Sequence, residues 1–239
     1  MSSGQYILYD IASREPCSTW TPNPWKTRLL FNFKGIDFKT KWLHYPEIKP
    51  TLESHVTPNE HGIPYSIPTI ITPDGEYIMD SRAITEYVES QRAQPSLHLD
   101  NNIVEEVEFL WASYMGAIKP IFLNQVPKRI LPDESLEYWY ATRKEMAGMP
   151  VEELEEKKGG ESAWDEAEMA LREVSALLKK NKKGPFFLGD VVSYADLVWG
   201  SVLLFSERIG PDFFGEALKR SGDGQSHLDL LNAIRPWSV

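Results

Sequence analysis

The sequence predicts an α+β domain at the N-terminus followed by an all-α domain. Three observations carry this. The segments with strand character all lie before Asp80. Beyond residue 101, apolar residues recur at spacings of three and four, the period of amphipathic helices. Between the two, Arg92 to Asp100 contains Pro95, Ser96 and His98 and has the composition of a linker. The expected division is therefore 1–92, a linker at 93–100, and 101–239.

Composition bounds the function. The chain has 239 residues, 42% of them hydrophobic and 12% aromatic, enough to bury a sizeable core. No apolar run reaches the roughly 18 residues a membrane helix needs. A formal charge of −10 disfavours a nucleic-acid partner. The single cysteine, Cys17, excludes an internal disulfide and fits a reducing compartment. Met1 to Gln5 lacks a basic segment followed by an apolar one, so no secretory signal is read there. The expectation is a cytoplasmic protein.

Tyr6 to Ala12 is a near-continuous apolar run and predicts a strand buried on both faces. Ser13 to Thr21 reads as a loop. The next helix is expected to open with Asn23 as N-cap and Pro24 at the first helical position, and to close at Gly35. Leu29, Leu30 and Phe33 form its buried stripe. Asp37 to Leu43 alternates and predicts a second strand, completing a βαβ unit. Pro46 to Pro64 reads as an irregular connection with a short helix near Thr51 to Ser54. Thr69 to Thr72 and Tyr77 to Met79 form a hairpin around Pro73-Asp74-Gly75-Glu76, and a helix follows from Ser81 to about Gln91. The order β-α-β, connection, β-β-α is thioredoxin-like.

Three places in this domain can carry chemistry. A cis Ile67–Pro68 bond would turn the Ile67 backbone outward to pair with a peptide-like ligand. The helix starting at Ser81 offers free N–H groups and a dipole to a carboxylate; equally, Asp80 or Ser81 simply caps its own helix. Thr21 and Asn23 sit at the mouth of the first helix. A hydroxyl there can hydrogen-bond a thiolate, whose pKa the helix N-terminus lowers. Asn23 as a plain cap and Thr21 as a loop residue are the alternatives.

In the second domain Ile103 to Phe122 predicts one long helix, with Pro120 kinking or shortening it. Gln125 to Pro132 reads as a break, Glu134 to Ala147 as a helix, and Val151 to Gly160 as a solvated charged segment. Glu161 to Lys180 is a strong helix. Ser193 and Asp196 form a capping-box variant, with Val192 and Leu197 as its hydrophobic staple. Two short helices end the chain. His44, His61, His98 and His227 are scattered, and no metal site is expected.

Thr21-Pro22 with Lys26-Thr27-Arg28, Ser66-Ile67-Pro68-Thr69 and Asp80-Ser81-Arg82-Ala83-Ile84 resemble the N-terminal domain of a cytosolic glutathione transferase. Trp20 to Arg28 is most similar to the fungal FuA class, related to bacterial lignin β-etherases, and more distantly to the Ure2p-like class. The Ser193 to Asp196 motif resembles the capping box of that family's all-helical domain. The resemblance implies the glutathione transferase fold, glutathione as co-substrate without a metal, and a homodimer. It implies that Ile67, before a cis Pro68, pairs with the cysteinyl part of glutathione. Asp80 would take the γ-glutamyl ammonium, Ser81 its carboxylate, and His55 or Lys49 the glycyl carboxylate. The catalytic hydroxyl falls at Thr21, where relatives mostly place serine, and Asn23 is the alternative donor to the sulfur. A hydrophobic aromatic or phenolic substrate would meet Trp111, Tyr114, Met115, Trp139 and Tyr140, each of which could equally be core. The implied activity is conjugation of glutathione to such electrophiles. A ligandin-type binding protein and a regulatory protein of the same fold are the competing readings.

Overall fold

A computed structural model describes residues 4–181 and 183–239. Strand β1, Tyr6–Ile11, buries Leu8, Tyr9, Asp10 and Ile11. Its apolar character follows from its place inside a four-stranded sheet of order β2-β1-β3-β4, with β2 at Phe38–Leu43, β3 at Thr69–Ile71 and β4 at Tyr77–Met79. β2 runs parallel to β1, while β3 is antiparallel to β1 and β4 antiparallel to β3. Parallel neighbours need a crossover, and helix α1, Pro22–Phe33, supplies it.

α1 begins earlier than expected. Thr21, not Asn23, is the N-cap, and Pro22 rather than Pro24 takes the first position. Both prolines lie where no intrahelical N–H bond is lost, so the motif fits either phase. Gly35 past its end adopts φ 61°, as a helix-ending glycine should. α1 packs against α3 and α9 as well as lying on the sheet's domain, so Phe31 is wholly buried and Phe33 only partly.

Helix α2 is Tyr45–Leu52, not the later turn expected. Pro46 in its first turn and Pro50 inside it gave the segment an irregular look. The hairpin forms as read: Gly75, at φ 89°, donates its amide to Thr72 O at 2.9 Å. Helix α3 spans Ser81–Gln91.

The rest of the described chain is built of helices, with two isolated β-bridges, Phe186 to Gly189 and Leu188 to Val191, before the ninth. The expected first long helix is two: α4, Asn102–Ala117, and α5, Lys119–Arg129. Pro120 falls in the first turn of α5, which explains the break at Ile118. α5 continues through the expected break to Arg129, with Pro127 inside it. α6 is Asp133–Ala147. Val151–Lys158 is not a solvated segment but helix α7, which buries Val151 and Leu154 and packs on α5. α8 is Gly160–Lys180, α9 Tyr194–Ile209, α10 Pro211–Arg220 and α11 Gly224–Ile234, followed by a 3₁₀ turn at Arg235–Trp237. α9 is the hub of this domain, buried along most of its length and packed against α1, α4, α10 and α11. None of the described helices is long and apolar enough to cross a membrane. The architecture is a thioredoxin-like α+β domain followed by an all-α domain.

Candidate functional site

Strand directions bring three segments to one edge of the sheet. Tyr9 pairs with Thr69, and Thr69 with Met79. The end of β1, the start of β3 and the end of β4 therefore lie together. The loop from β1 to α1 is tied back to that edge, because the Trp20 indole donates to Ile11 O at 3.1 Å. Thr21, Ile67 and Asp80 are thus delivered to one end of the domain by topology.

The Ile67–Pro68 bond is cis. Ile67 lies outside the strand ladder, and its amide and carbonyl have no hydrogen-bond partner among the described residues. Asp80 N donates to Pro68 O at 3.2 Å, closing the edge. Asp80 holds φ 86° and caps α3: its Oδ1 accepts from Arg82 N at 2.8 Å and Ala83 N at 3.1 Å. Capping by Asp80 leaves the Ser81 hydroxyl off that duty, at the positive end of α3.

Thr21 is half-buried, and its side chain makes no capping bond to α1. The hydroxyl and the first N–H groups of α1 share one mouth. Asn23 Oδ1 accepts from Lys26 Nζ at 3.1 Å. Lys26 is buried, and its ammonium lies 3.7 Å from the centroid of the Trp111 ring. Burial pushes its pKa down to about 8, while the charges of Glu108 and Asp80 pull it up. Lys26 therefore links α1 to α4 and feels the charge of Asp80.

The other expected residues divide. His55 is exposed and stacks on Tyr77, centroids 4.2 Å apart, at the end of β4 away from Asp80. Lys49 is exposed on α2. Trp111 and Met115 are half-buried one turn apart on α4, and Tyr140 is half-buried on α6. Two aromatic candidates take the core alternative. Tyr114 is wholly buried against Trp199, centroids 5.7 Å apart, and its depth pushes the phenol pKa up. Trp139 is also core: its indole donates to Leu123 O at 2.9 Å, and its ring meets Trp20 edge-on at 6.5 Å. No cluster of metal-ligating side chains occurs among the described residues.

Residues 20–91 match the family model of the glutathione S-transferase N-terminal domain, and residues 107–220 that of the glutathione S-transferase C-terminal domain. The chain belongs to the glutathione transferase family. It is similar to the glutathione transferase GSTFuA3 of Phanerochaete chrysosporium, at 28% identity and TM-score 0.85 over 100% of this chain and 99% of that one. A glutathione S-transferase of Ceriporiopsis subvermispora, crystallised in complex with glutathione, is 27% identical at TM-score 0.85, covering 99% and 98% of the two chains. The glutathione S-transferase-like protein ustS of Aspergillus flavus is 28% identical over 96% of this chain and 90% of its own length.

The features of this transferase fit a bound tripeptide thiol: an unpaired backbone at Ile67, an uncommitted hydroxyl at Thr21, and an acid beside a helix N-terminus at Asp80 and Ser81. Sequence reasoning missed Lys26 as a member of the site. The available signal was a lysine three residues after Asn23, on a helix whose neighbouring positions Trp25 and Thr27 are buried. It also missed the support beneath the Thr21 loop. Asp10, fully buried, accepts from Thr19 Oγ1 at 2.5 Å, and Arg28 donates to Thr19 Oγ1 at 2.8 Å. Burial pushes the Asp10 pKa up, against Thr19 and Arg28, which pull it down.

Proposed function

We propose that this transferase binds glutathione along the edge made by Ile67, Asp80 and Ser81 and ionises its thiol at the mouth of α1. Ile67 exchanges backbone hydrogen bonds with the cysteinyl residue, before Pro68. The γ-glutamyl carboxylate takes the Ser81 hydroxyl and the N–H groups of α3, and its ammonium takes Asp80. An extended peptide held there points its glycyl carboxylate away from Asp80, towards the segment that carries Lys49 and His55. Thr21 and Asn23 donate to the sulfur, and the dipole of α1 favours the anion. The thiolate, its proton lost to solvent, then attacks a hydrophobic aromatic electrophile resting against Trp111 and Met115, with Tyr140 on the far wall; the carbon–sulfur bond forms as the bond to the ring's leaving group breaks, and that group departs as its anion. Acceleration comes from a larger thiolate fraction and from proximity.

The observation that carries this reading is the Thr21 side chain, which stands at the N-cap of α1 without capping it. A hydroxyl that does not serve its own helix is free for a ligand. Threonine is stiff at χ1, which favours ligandin-type storage of phenolic compounds as the second reading. We assign the protein to the cytoplasm, in line with its free Cys17. We also assign it a homodimeric state, in line with Phe109, 70% exposed on α4.

Calorimetric titration with glutathione tests the reading. The wild type is expected to bind, with Ser81→Ala and Asp80→Asn each weakening affinity roughly tenfold, as loss of one charge-assisted bond predicts. Conjugation of an activated aryl halide by the wild type supports transfer. Binding without turnover moves the function to ligandin, and no binding ends both readings.

A further inference from the structure

Lys26 presents a buried cation for which the fold gives little compensation. It is 5% exposed, and its single hydrogen bond among the described residues is to Asn23 Oδ1 at 3.1 Å. The face of Trp111, 3.7 Å away, supplies a cation–π contact. The charged groups facing it are Asp80 at the start of α3 and Glu108 on α4, and Glu108 is itself paired with Arg82 at 3.0 Å. Burying an ammonium with so few acceptors is costly. Its geometry has a consequence one turn up the helix. An ammonium only donates, so the amide atom of Asn23 that faces it is the oxygen. The two Nδ2 hydrogens of Asn23 must then point elsewhere, and no described residue accepts them.

We infer that Lys26 is a positioning residue: by holding Oδ1 it keeps the Asn23 amide turned with its donors at the mouth of α1, where the sulfur of glutathione would sit. Its functional half rests on the thiolate reading above; its hold on Asn23 does not. A charged lysine enforces one orientation of the amide. A neutral amine can accept as well as donate, so deprotonation removes the constraint. With the Lys26 pKa pushed down to about 8 by burial, this happens within reach of neutral pH. Positive charge at Lys26 also favours a nearby anion, an effect that does not pass through Asn23 and must be separated from it.

Two measurements on the intact protein do this. The first follows the ¹⁵N–¹H signals of the Asn23 side-chain amide against pH without ligand, assigned by their loss in Asn23→Ala. They are expected to titrate with a midpoint near 8 in the wild type and to stay flat in Lys26→Met and Lys26→Gln. Two variants are used because either could pack poorly in a buried position. Signals that titrate identically in wild type and both variants overturn the inference. The second follows the ultraviolet absorbance of bound glutathione thiolate. Lys26→Met is expected to lower the thiolate fraction roughly tenfold at neutral pH, as one lost hydrogen bond to an ion predicts. The same change made in Asn23→Ala is expected to lower it distinctly less, leaving only the direct effect of the charge. An equal fall in both backgrounds overturns the inference, because Lys26 would then act on the sulfur directly. An unshifted thiol in the wild type defeats the thiolate reading, and the amide titration still decides whether Lys26 controls Asn23.

Discussion

Asp80 shows why single side chains at this edge need careful probes. One Oδ1 accepts both Arg82 N and Ala83 N, so the residue caps α3 while its charge faces the place we assign to an ammonium. Asp80→Ala would remove the cap as well, at about 1 kcal/mol, and would confuse stability with binding. Asp80→Asn keeps a capping oxygen and a side chain of the same shape at the same backbone position. It is therefore the variant whose weaker glutathione binding reports the lost charge alone. At the mouth of α1 we propose two donors for the same role: Thr21, with a hydroxyl but a β-branch, and Asn23, whose Oδ1 accepts from Lys26 Nζ. The cis Ile67–Pro68 bond and the helix start at Asp80 and Ser81 were legible as structure because their signals are local: a proline before a strand and an acid and a serine at a helix start. Lys26 was not, since its importance comes from Trp111 on a distant helix. For Tyr114 and Trp139 the sequence left substrate wall and core both open, and the structure gives core. Helical spacing marks a side chain as apolar-facing but does not say whether another helix covers it.

Among elements, α9 depends most on one carboxylate. Asp196 accepts from Ser193 N at 2.7 Å, Ser193 Oγ at 2.8 Å and Phe187 N at 2.9 Å, and it is wholly buried. Asp196→Ala would leave those donors without partners and is expected to destabilise the protein by about 3 kcal/mol. Chemical denaturation checks this, and a loss below about 1 kcal/mol would show that water or another acceptor replaces the carboxylate. The box was readable from Ser193 and Asp196 because a capping motif is a local sequence signature. α2 and α5 were not, because prolines at positions 50 and 127 sit inside them. Proline normally ends a helix; here the flanking Leu52 and Val126 are buried, and packing outweighs the local preference. α7 was missed because only Val151 and Leu154 interrupt its charges.

Across the whole molecule the two domains are joined at the loop before α1 and along α1 itself, which packs on α9. The Arg14 guanidinium donates to Leu131 O at 2.7 Å, Lys128 O at 2.8 Å and Pro127 O at 3.1 Å, satisfying carbonyls at the end of α5. Trp20, next to Thr21, packs on Trp139 of α6. Asn32 on α1 donates to Trp237 O at 2.7 Å and Val239 O at 2.9 Å, so the C-terminal segment clasps the first helix. Global stability should carry the mark of His227. Its Nδ1 accepts from the Trp199 indole at 3.0 Å, and Nε2 lies 2.9 Å from Ser175 Oγ. Burial pushes its pKa from 6.5 down to about 4. The unfolded chain therefore takes up the proton first as pH falls. The stability from neutral His227 is complete above pH 6.5 and is lost as pH drops towards about 4. Urea midpoints at pH 7 and pH 4.5 are expected to differ less in His227→Gln than in wild type. An identical pH dependence would show that His227 carries no such penalty.

The most direct measurement is the pKa of the glutathione thiol while bound, read from thiolate absorbance in wild type, Thr21→Ala and Asn23→Ala. The expected result is a wild-type pKa well below that of the free thiol, raised in one or both variants. Thr21 is the main donor if the first variant moves it, and Asn23 if the second does. Glutathione bound with an unshifted thiol, or a lowered pKa untouched in both variants, would contradict the mouth of α1 as the activating element.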